Sequence, residues 1–145
     1  MAIKKKYKPE TQLQHAYQRF WQKFNKVTAT NDEFCKVFIP HPYGSIRSYQ
    51  DYSVGDSYAI VAGINFKSKE VRVGAYFRSL VAFDLFAENK ALIEDRIGKK
   101  LAWKRHLTKA SVTVIDSVDF DDDYGWENAF KIMIPLMLQM REVFQ

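Results

Sequence analysis

Two runs of alternating apolar residues, separated by a short polar turn, constrain the fold of this chain more than any other feature. The runs are SYAIVAGINF over residues 57–66 and VRVGAYFR over residues 71–78, with KSKE between them. An extended strand sends alternate side chains to opposite faces, so each run has one apolar face. The apolar sets are Tyr58, Ile60, Ala62, Ile64 and Phe66, and then Val71, Val73, Ala75 and Phe77. This pattern predicts an antiparallel hairpin with one buried face.

The rest of the chain supplies further strands and three helical patterns. LAWKRHL (101–107) and ASVTVIDSV (110–118) predict a second hairpin, and SYQDYSV (48–54) predicts a short strand. Apolar residues at spacings of three and four predict helices over 9–27, 80–97 and 126–144. The stretch after the first helix, with Pro40, Pro42 and Gly44, reads as loop. The last helix is apolar almost all round, so it is either deeply buried or part of a subunit interface.

These elements predict an α+β fold. We expect an antiparallel four- to five-stranded sheet with three helices, in the order α-β(β)β-α-β-β-α, with the helices mainly on one face. The length of 145 residues suits a single domain over residues 1–145. Residues 1–8, which include KKKYK, are expected to form a flexible basic arm.

Charge and cysteine content narrow the functional classes. Lys and Arg outnumber Asp and Glu by 22 to 17, which gives a net charge of +5 and favours an anionic partner. Residues 1–30 hold seven Lys and Arg but Glu10 alone among the acids. Cys35 is the only cysteine, so an intramolecular disulfide is excluded. Without a secretory signal or an apolar run of about 18 residues, a soluble cytoplasmic protein without membrane contact is expected.

The acidic stretch DSVDFDDDYGW (116–126) is the first candidate for a metal site. An EF-hand loop counted from Asp116 has Glu127 at its twelfth position, but Asp121 stands at the sixth, where the sharp turn needs glycine. Asp122 or Asp123 can instead cap the last helix, and Gly125 can provide a turn. The sequence therefore favours a structural turn and predicts no metal ligands, although a metal-dependent nuclease using these aspartates stays an alternative.

A second candidate is Glu88-Asn89-Lys90 preceded by Asp84, which superficially matches the core of PD-(D/E)XK nucleases. That chemistry requires Glu and Lys on a strand, where alternate residues share a face. Here the triplet is predicted within a helix, where residues two apart diverge, and Asp84 and Glu88 are expected to be solvated. No glycine-rich phosphate loop is present. The sequence thus indicates no catalytic residues and no cofactor, and favours a protein that is not an enzyme.

The third candidate is the outer face of the predicted sheet. If Val71, Val73, Ala75 and Phe77 point inward, the opposite face carries basic and aromatic side chains that can neutralise phosphates or stack on an unpaired base. The candidate nucleic-acid-binding residues are Arg72, Tyr76, Arg78, Lys104, His106 and Arg47. A polar, solvated sheet face is the alternative.

Four segments of the chain resemble the domain-of-unknown-function 4268 family. They are RFWQKFN, VRVGAYF, LFAENKALIEDRIGKKLAWKR and WENAFKIMIPLMLQMREVF. The matching positions are Phe20, Trp21, Phe24, Arg72, Val73, Phe86, Lys90, Ile93, Glu94, Gly98, Leu101, Trp103, Trp126, Val143 and Phe144.

The resemblance implies an accessory module, since such domains often occur C-terminal to PD-(D/E)XK-like nuclease domains in bacteria, archaea and phages. It implies no catalytic residue. We therefore expect a nuclease-associated, non-enzymatic module whose partner is DNA, RNA, a nuclease or another protein, met through the basic sheet face. The alternative is a protein-interaction or homo-oligomerisation module that uses the apolar C-terminal helix.

Overall fold

A computed structural model describes residues 7–120 and 123–145 of the chain, with side chains for all of these except 123–125. Its elements are α1 (Gln12–Ala29), α2 (Asp32–Val37), β1 (Tyr49–Val54), β2 (Tyr58–Asn65), β3 (Glu70–Phe77), α3 (Leu80–Ala87), α4 (Lys90–Ile97), β4 (Ala102–Arg105), β5 (Ala110–Ser117) and α5 (Asp123–Val143). The predicted α+β class is confirmed, but the described residues form five helices rather than three.

The chain groups into two compact units, residues 1–50 and residues 51–145. The single domain expected over residues 1–145 stays a prediction. Most of the expected basic arm, residues 1–6, lies outside the described residues. Tyr7 is described, and its ring centroid lies 5.2 Å from that of Tyr43 within the first unit.

Helix α1 begins after Thr11, because a capping box fixes its start. The backbone N–H of Gln14 donates to Thr11 Oγ1 at 3.1 Å, and Gln14 Oε1 accepts from the Thr11 N–H at 3.2 Å. These bonds satisfy donors that a helix start otherwise leaves unpaired. The predicted helix is therefore confirmed but starts three residues later than expected, so Pro9 and Glu10 precede it. Residues 32–37, expected as loop, form the short helix α2, capped by Asn31.

The core of the first unit is aromatic. Phe20, Trp21, Phe24 and Phe34 are fully buried. The Trp21 ring meets those of Phe20 and Phe24 edge-on, with centroids 4.9 Å and 5.3 Å apart. Its indole N–H donates to the Arg47 carbonyl at 2.9 Å, so the one polar atom of this ring is satisfied.

The sheet has the strand order β1-β2-β3-β5-β4. Both predicted hairpins are confirmed: β2 pairs antiparallel with β3, and β4 pairs antiparallel with β5. Strand β5 also pairs antiparallel with β3, which leaves β4 at the edge. The register aligns one apolar face across the strands, and its central residues are Ile60, Ala62, Val73, Ala75, Val112 and Val114, all buried.

Helices of the second unit cover this apolar face. Helix α5 packs on β2 and β3, helix α3 on β3 and β5, and helix α4 against α3 and α5. Of the two explanations for the apolar composition of α5, burial applies, since Met133, Met137, Met140 and Phe144 are all fully buried in the chain itself. No helix in the described part of the chain has the length and hydropathy that a bilayer crossing requires.

The single helix predicted over residues 80–97 is wrong, because the chain breaks it into α3 and α4 at Glu88 and Asn89. Helix α4 ends at Gly98, whose φ of 79° is left-handed and suits glycine at this position. The Glu94 side chain then accepts from the Leu101 N–H at 2.9 Å and fixes the path into β4.

Candidate nucleic-acid interface

Strand β3 carries the centre of the candidate surface. Its buried residues Val71, Val73, Ala75 and Phe77 alternate with Arg72, Gly74 and Tyr76, which lie on the opposite, outer face. Arg72 is exposed and Tyr76 is half-buried. Their positions four residues apart correspond to about 13 Å along a strand.

Tyr76 leans over Gly74, which is two residues earlier on the same face. A Cβ atom at Gly74 would lie 3.2 Å from Tyr76 Cε1 and 2.6 Å from Thr113 Cγ2 on the neighbouring strand. The absence of a side chain at position 74 therefore leaves the space that the phenol ring occupies along the strand. The result is an aromatic ring held close to the sheet surface, with part of it open to solvent.

Lys104 lies on the same outer face, two strands from Tyr76. Ser111 of β5 pairs with Tyr76 on one side and with Lys104 on the other. With strands about 4.8 Å apart, Tyr76 and Lys104 are roughly 10 Å from each other. Lys104 is exposed. An exposed lysine on the edge strand thus shares a face of the sheet with the ring.

Uncharged residues separate these basic positions. Arg72 is flanked by Gly63 on β2 and Ile115 on β5, and Gly74 by Val61 and Thr113. Glu70 is half-buried and stands two residues from Arg72, at the end of β3 opposite to Tyr76. Positive charge on this part of the sheet is therefore concentrated at Arg72 and Lys104. We call Arg72, Gly74, Tyr76 and Lys104 the sheet-face site.

Arg78 and His106 lie beyond the strands rather than on them. Arg78 follows the end of β3, and its Nη2 group approaches the carbonyls of Gly55 and Tyr58 at 3.4 Å and 3.5 Å. His106 is exposed in the turn between β4 and β5, where its N–H donates to the Lys109 carbonyl at 2.8 Å. Both are at the end of the sheet where Tyr76 lies, because Phe77 pairs there with both neighbouring strands.

Arg47 belongs to the first unit and is not part of the sheet-face site. Its Nη1 group donates to the Tyr49 hydroxyl at 2.9 Å, and its guanidinium carbon lies 6.0 Å from the Tyr49 ring centroid. Its backbone N–H donates to Ser45 Oγ at 3.0 Å. These contacts hold the side chain against its own segment.

The aspartate stretch places two of its carboxylates in ion pairs. Asp116 accepts from Lys99 Nζ at 3.0 Å, and Asp119 lies 4.0 Å from Lys69 Nζ. Asp121 and Asp122 lie outside the described residues, as does the side chain of Asp123. Within the described ranges, no three His, Cys, Asp or Glu side chains come together in a way that could hold a metal ion.

The nuclease-like triplet does not form a carboxylate site among the described residues. Glu88 and Asn89 stand between two helices rather than within one, which corrects the predicted placement. Asp84 is exposed, as expected, and it also pairs with Arg105 on β4 through two hydrogen bonds. Lys90 is exposed, and its ammonium lies 5.6 Å from the Trp103 ring centroid, in cation–π range.

The sequence predicted that Arg72, Tyr76 and Lys104 share this face, but it did not predict the contact between Gly74 and the Tyr76 ring. A signal was present, since a glycine inside a strand marks a close approach by another group. Its aromatic neighbour two residues on shares its face, so the ring was the natural candidate for that approach.

A search among curated proteins gave no significant match. The family model described as a domain of unknown function (DUF4268) matches residues 16–145. Several positions that suggested the resemblance have structural roles: Gly98 ends α4, Glu94 binds the Leu101 backbone and Lys90 covers the Trp103 ring. Because the match spans nearly the whole sequence, the chain belongs to the DUF4268 family, a domain of unknown function.

Proposed function

We propose that this protein is a non-enzymatic module that binds single-stranded nucleic acid through the sheet-face site. The observation that supports this most directly is the Tyr76 ring, which leans over Gly74 with Arg72 and Lys104 on the same face. Aromatic rings on a sheet surface stack on unpaired bases of any sequence. Neighbouring cations neutralise the phosphates on either side. The proposed partner is therefore single-stranded DNA or RNA, bound with little sequence preference.

Spacing on the sheet is consistent with such a ligand. Tyr76 lies about 13 Å from Arg72 along the strand and about 10 Å from Lys104 across the strands. A nucleotide stacked on the ring would thus have a cation to either side at a distance of one to a few nucleotides.

A binding assay with three variants tests the proposal. Fluorescence anisotropy would measure the Kd for a labelled 20-nucleotide single strand between 25 and 200 mM salt (about one order of magnitude in ionic strength). Tyr76→Ala is expected to weaken binding by about 5- to 150-fold, since stacking contributes about 1–3 kcal/mol per base. Tyr76→Phe keeps the ring and should bind like the wild type.

Arg72→Gln with Lys104→Gln removes two cations and is expected to reduce the salt slope of log Kd by about 1.4, since each phosphate contact on a single strand contributes about 0.7. The control is Lys36→Gln with Lys131→Gln, an equal change of charge at exposed positions outside the site. Equal affinities for the site and control variants would contradict the proposal, as would a wild-type protein that fails to bind at the lowest salt.

A protein partner is the second candidate function, and exposed apolar side chains favour it. Val81 and Leu85 of α3 are 73% and 60% exposed, and stand four residues apart on one side of the helix. Leu107, in the turn after β4, is 91% exposed. Apolar groups in this state favour contact with another protein, for which a nuclease-type domain is the expected class. Co-purification of a nuclease with the wild type, lost in Val81→Ser with Leu85→Ser, would support this candidate.

A further inference from the structure

Helix α1 presents a continuous basic stripe to solvent. At 100° per residue, six of its polar positions fall within an arc of about 100°. All six are exposed, and they are Gln12, His15, Arg19, Gln22, Lys23 and Lys26. We call this set the α1 arc. It lies in the first unit and includes no residue of the sheet-face site.

The α1 arc carries one sign of charge only. Helix α1 contains no Asp or Glu. Arg19, Lys23 and Lys26 follow each other at spacings of four and three, so neighbouring cations lie one turn apart. From His15 to Lys26 the row is about 16 Å long, at 1.5 Å per residue.

A surface concavity accompanies the N-terminal half of the α1 arc. It is open to solvent and has a volume of about 520 Å³, and the described residues that line it are Gln12, His15 and Arg19. A guanidinium, an imidazole and an amide can all donate hydrogen bonds to phosphate oxygens.

The phosphate groups that the α1 arc could bind belong either to a membrane or to a nucleic acid, and the apolar side of α1 distinguishes the two. Helices that bind membrane surfaces insert an apolar face below the headgroups. In α1 the large apolar residues Phe20, Trp21 and Phe24 are fully buried in the fold. Leu13 and Val27 are exposed, but they stand 14 residues apart, about 21 Å along the helix axis. The helix therefore offers charge without a continuous apolar face to insert, which suits a phosphodiester backbone.

We propose that the α1 arc binds the sugar–phosphate backbone of nucleic acid, independently of base sequence. The inference shares its class of partner with the proposed function but rests on a different surface. A duplex presents a phosphate every 3.4 Å along each strand, so the row of cations from Arg19 to Lys26, about 10 Å long, faces several phosphates of one strand. The arc has no aromatic residue to stack on a base, and hence its contacts are to backbone only.

The test compares three variants on a labelled 20-base-pair duplex, for which each lost phosphate contact lowers the salt slope by about 0.9. Arg19→Gln, Lys23→Gln and Lys26→Gln together are expected to reduce the slope by roughly 2.7. The matched control carries Lys36→Gln, Lys100→Gln and Lys131→Gln, which remove the same charge from exposed positions elsewhere. A third variant, Arg19→Lys with Lys23→Arg and Lys26→Arg, keeps the charge and should bind like the wild type.

Glutamine has nearly the helix propensity of Lys and Arg, so the arc variant is expected to keep the wild-type circular dichroism spectrum. Equal duplex affinity for the arc and control variants would overturn the inference. So would arc-dependent binding to phosphatidylserine vesicles without binding to the duplex. Tyr76→Ala separates the two proposals, because it should weaken single-strand binding and leave the duplex slope unchanged. If Tyr76→Ala has no effect while the arc variant does, only the sheet-face proposal fails.

Discussion

Arg105, at the end of β4, forms a bidentate ion pair with the carboxylate of Asp84 on α3. Nε donates to one carboxylate oxygen at 2.9 Å and Nη2 to the other at 3.2 Å. The pair fastens the edge strand to a helix that covers the sheet. Hydrogen bonding from Arg105 is the main reason that the pKa of the Asp84 carboxyl lies below its ordinary value, and the positive charge adds to it.

This pair predicts a component of acid sensitivity. A carboxyl whose pKa is lower in the folded state contributes stability above its unfolded pKa, and the contribution is lost as pH falls through the folded value. We therefore expect the contribution of Asp84 to be complete at neutral pH and to disappear below about pH 4. Asp84→Asn should be less stable than the wild type at pH 7, and the difference should shrink towards pH 2. Urea unfolding at a series of pH values measures this.

The control for that experiment is Asp95→Asn, which alters an exposed carboxyl on the neighbouring helix α4. At pH 7 it should lose less stability than Asp84→Asn, because it breaks no ion pair with Arg105. A difference between Asp84→Asn and wild type that stays constant from pH 7 to pH 2 would show that the ion pair is not the cause.

Tyr58 is expected to make the stability of the fold sensitive to high pH, whereas Asp84 makes it sensitive to low pH. Its side chain is 95% buried, and its hydroxyl forms no regular hydrogen bond with a described residue. Burial raises the pKa of the Tyr58 phenol, and the nearby Arg141 guanidinium opposes this shift without reaching regular hydrogen-bond geometry. A raised pKa means that the fold favours the neutral phenol, so stability is lost as pH rises above about 10.

Tyr58→Phe keeps the ring, whose centroid lies 5.2 Å from that of Phe77, and removes the hydroxyl. Because the hydroxyl has no regular partner, we expect the variant to equal the wild type at pH 7 or to exceed it by up to about 1 kcal/mol. Its stability should also fall less between pH 9 and 11. Denaturant titrations at pH 7 and 10.5 decide the matter, and a loss above 1 kcal/mol at pH 7 would mean that the hydroxyl is satisfied.

Local patterns predicted the sheet faces but not the helix break or the strand order. The alternation in 71–78 placed Arg72 and Tyr76 correctly on the outer face of β3, because side-chain direction in a strand is a local property. The sequence did not predict the break at Glu88 and Asn89, because apolar residues continue at helical spacing on both sides of it. Strand β5, rather than β4, lies next to β3. The sequence of a hairpin does not determine which of its two strands pairs with the rest of the sheet and which forms the edge.

A buried pair of amides gives a prediction for the first unit. Asn25 Nδ2 donates to Gln50 Oε1 at 3.1 Å, and Gln50 Nε2 donates to Asn25 Oδ1 at 2.8 Å. Both residues are buried. Asn25→Ala leaves the Gln50 amide without this acceptor and is expected to lower the free energy of unfolding by about 1–3 kcal/mol. The exposed Gln22→Ala on the same helix should change it by less than about 0.5 kcal/mol, and equal effects in urea titrations would contradict the prediction.

The substitution Gly74→Ala tests the stability of the fold and the proposed binding site in one variant. The added methyl group would lie 2.6 Å from Thr113 Cγ2 and 2.9 Å from the Val112 carbonyl oxygen, closer than real contacts allow. Overpacking of this kind costs about 1–3 kcal/mol, and the Tyr76 ring must also move away from its place beside residue 74. We expect both a lower unfolding free energy and weaker single-strand binding. Thr113→Ser in the same chain removes Cγ2 and should recover part of the stability, whereas binding should recover only if the ring returns. Full wild-type binding by Gly74→Ala alone would show that the position of the ring over residue 74 does not matter for the ligand.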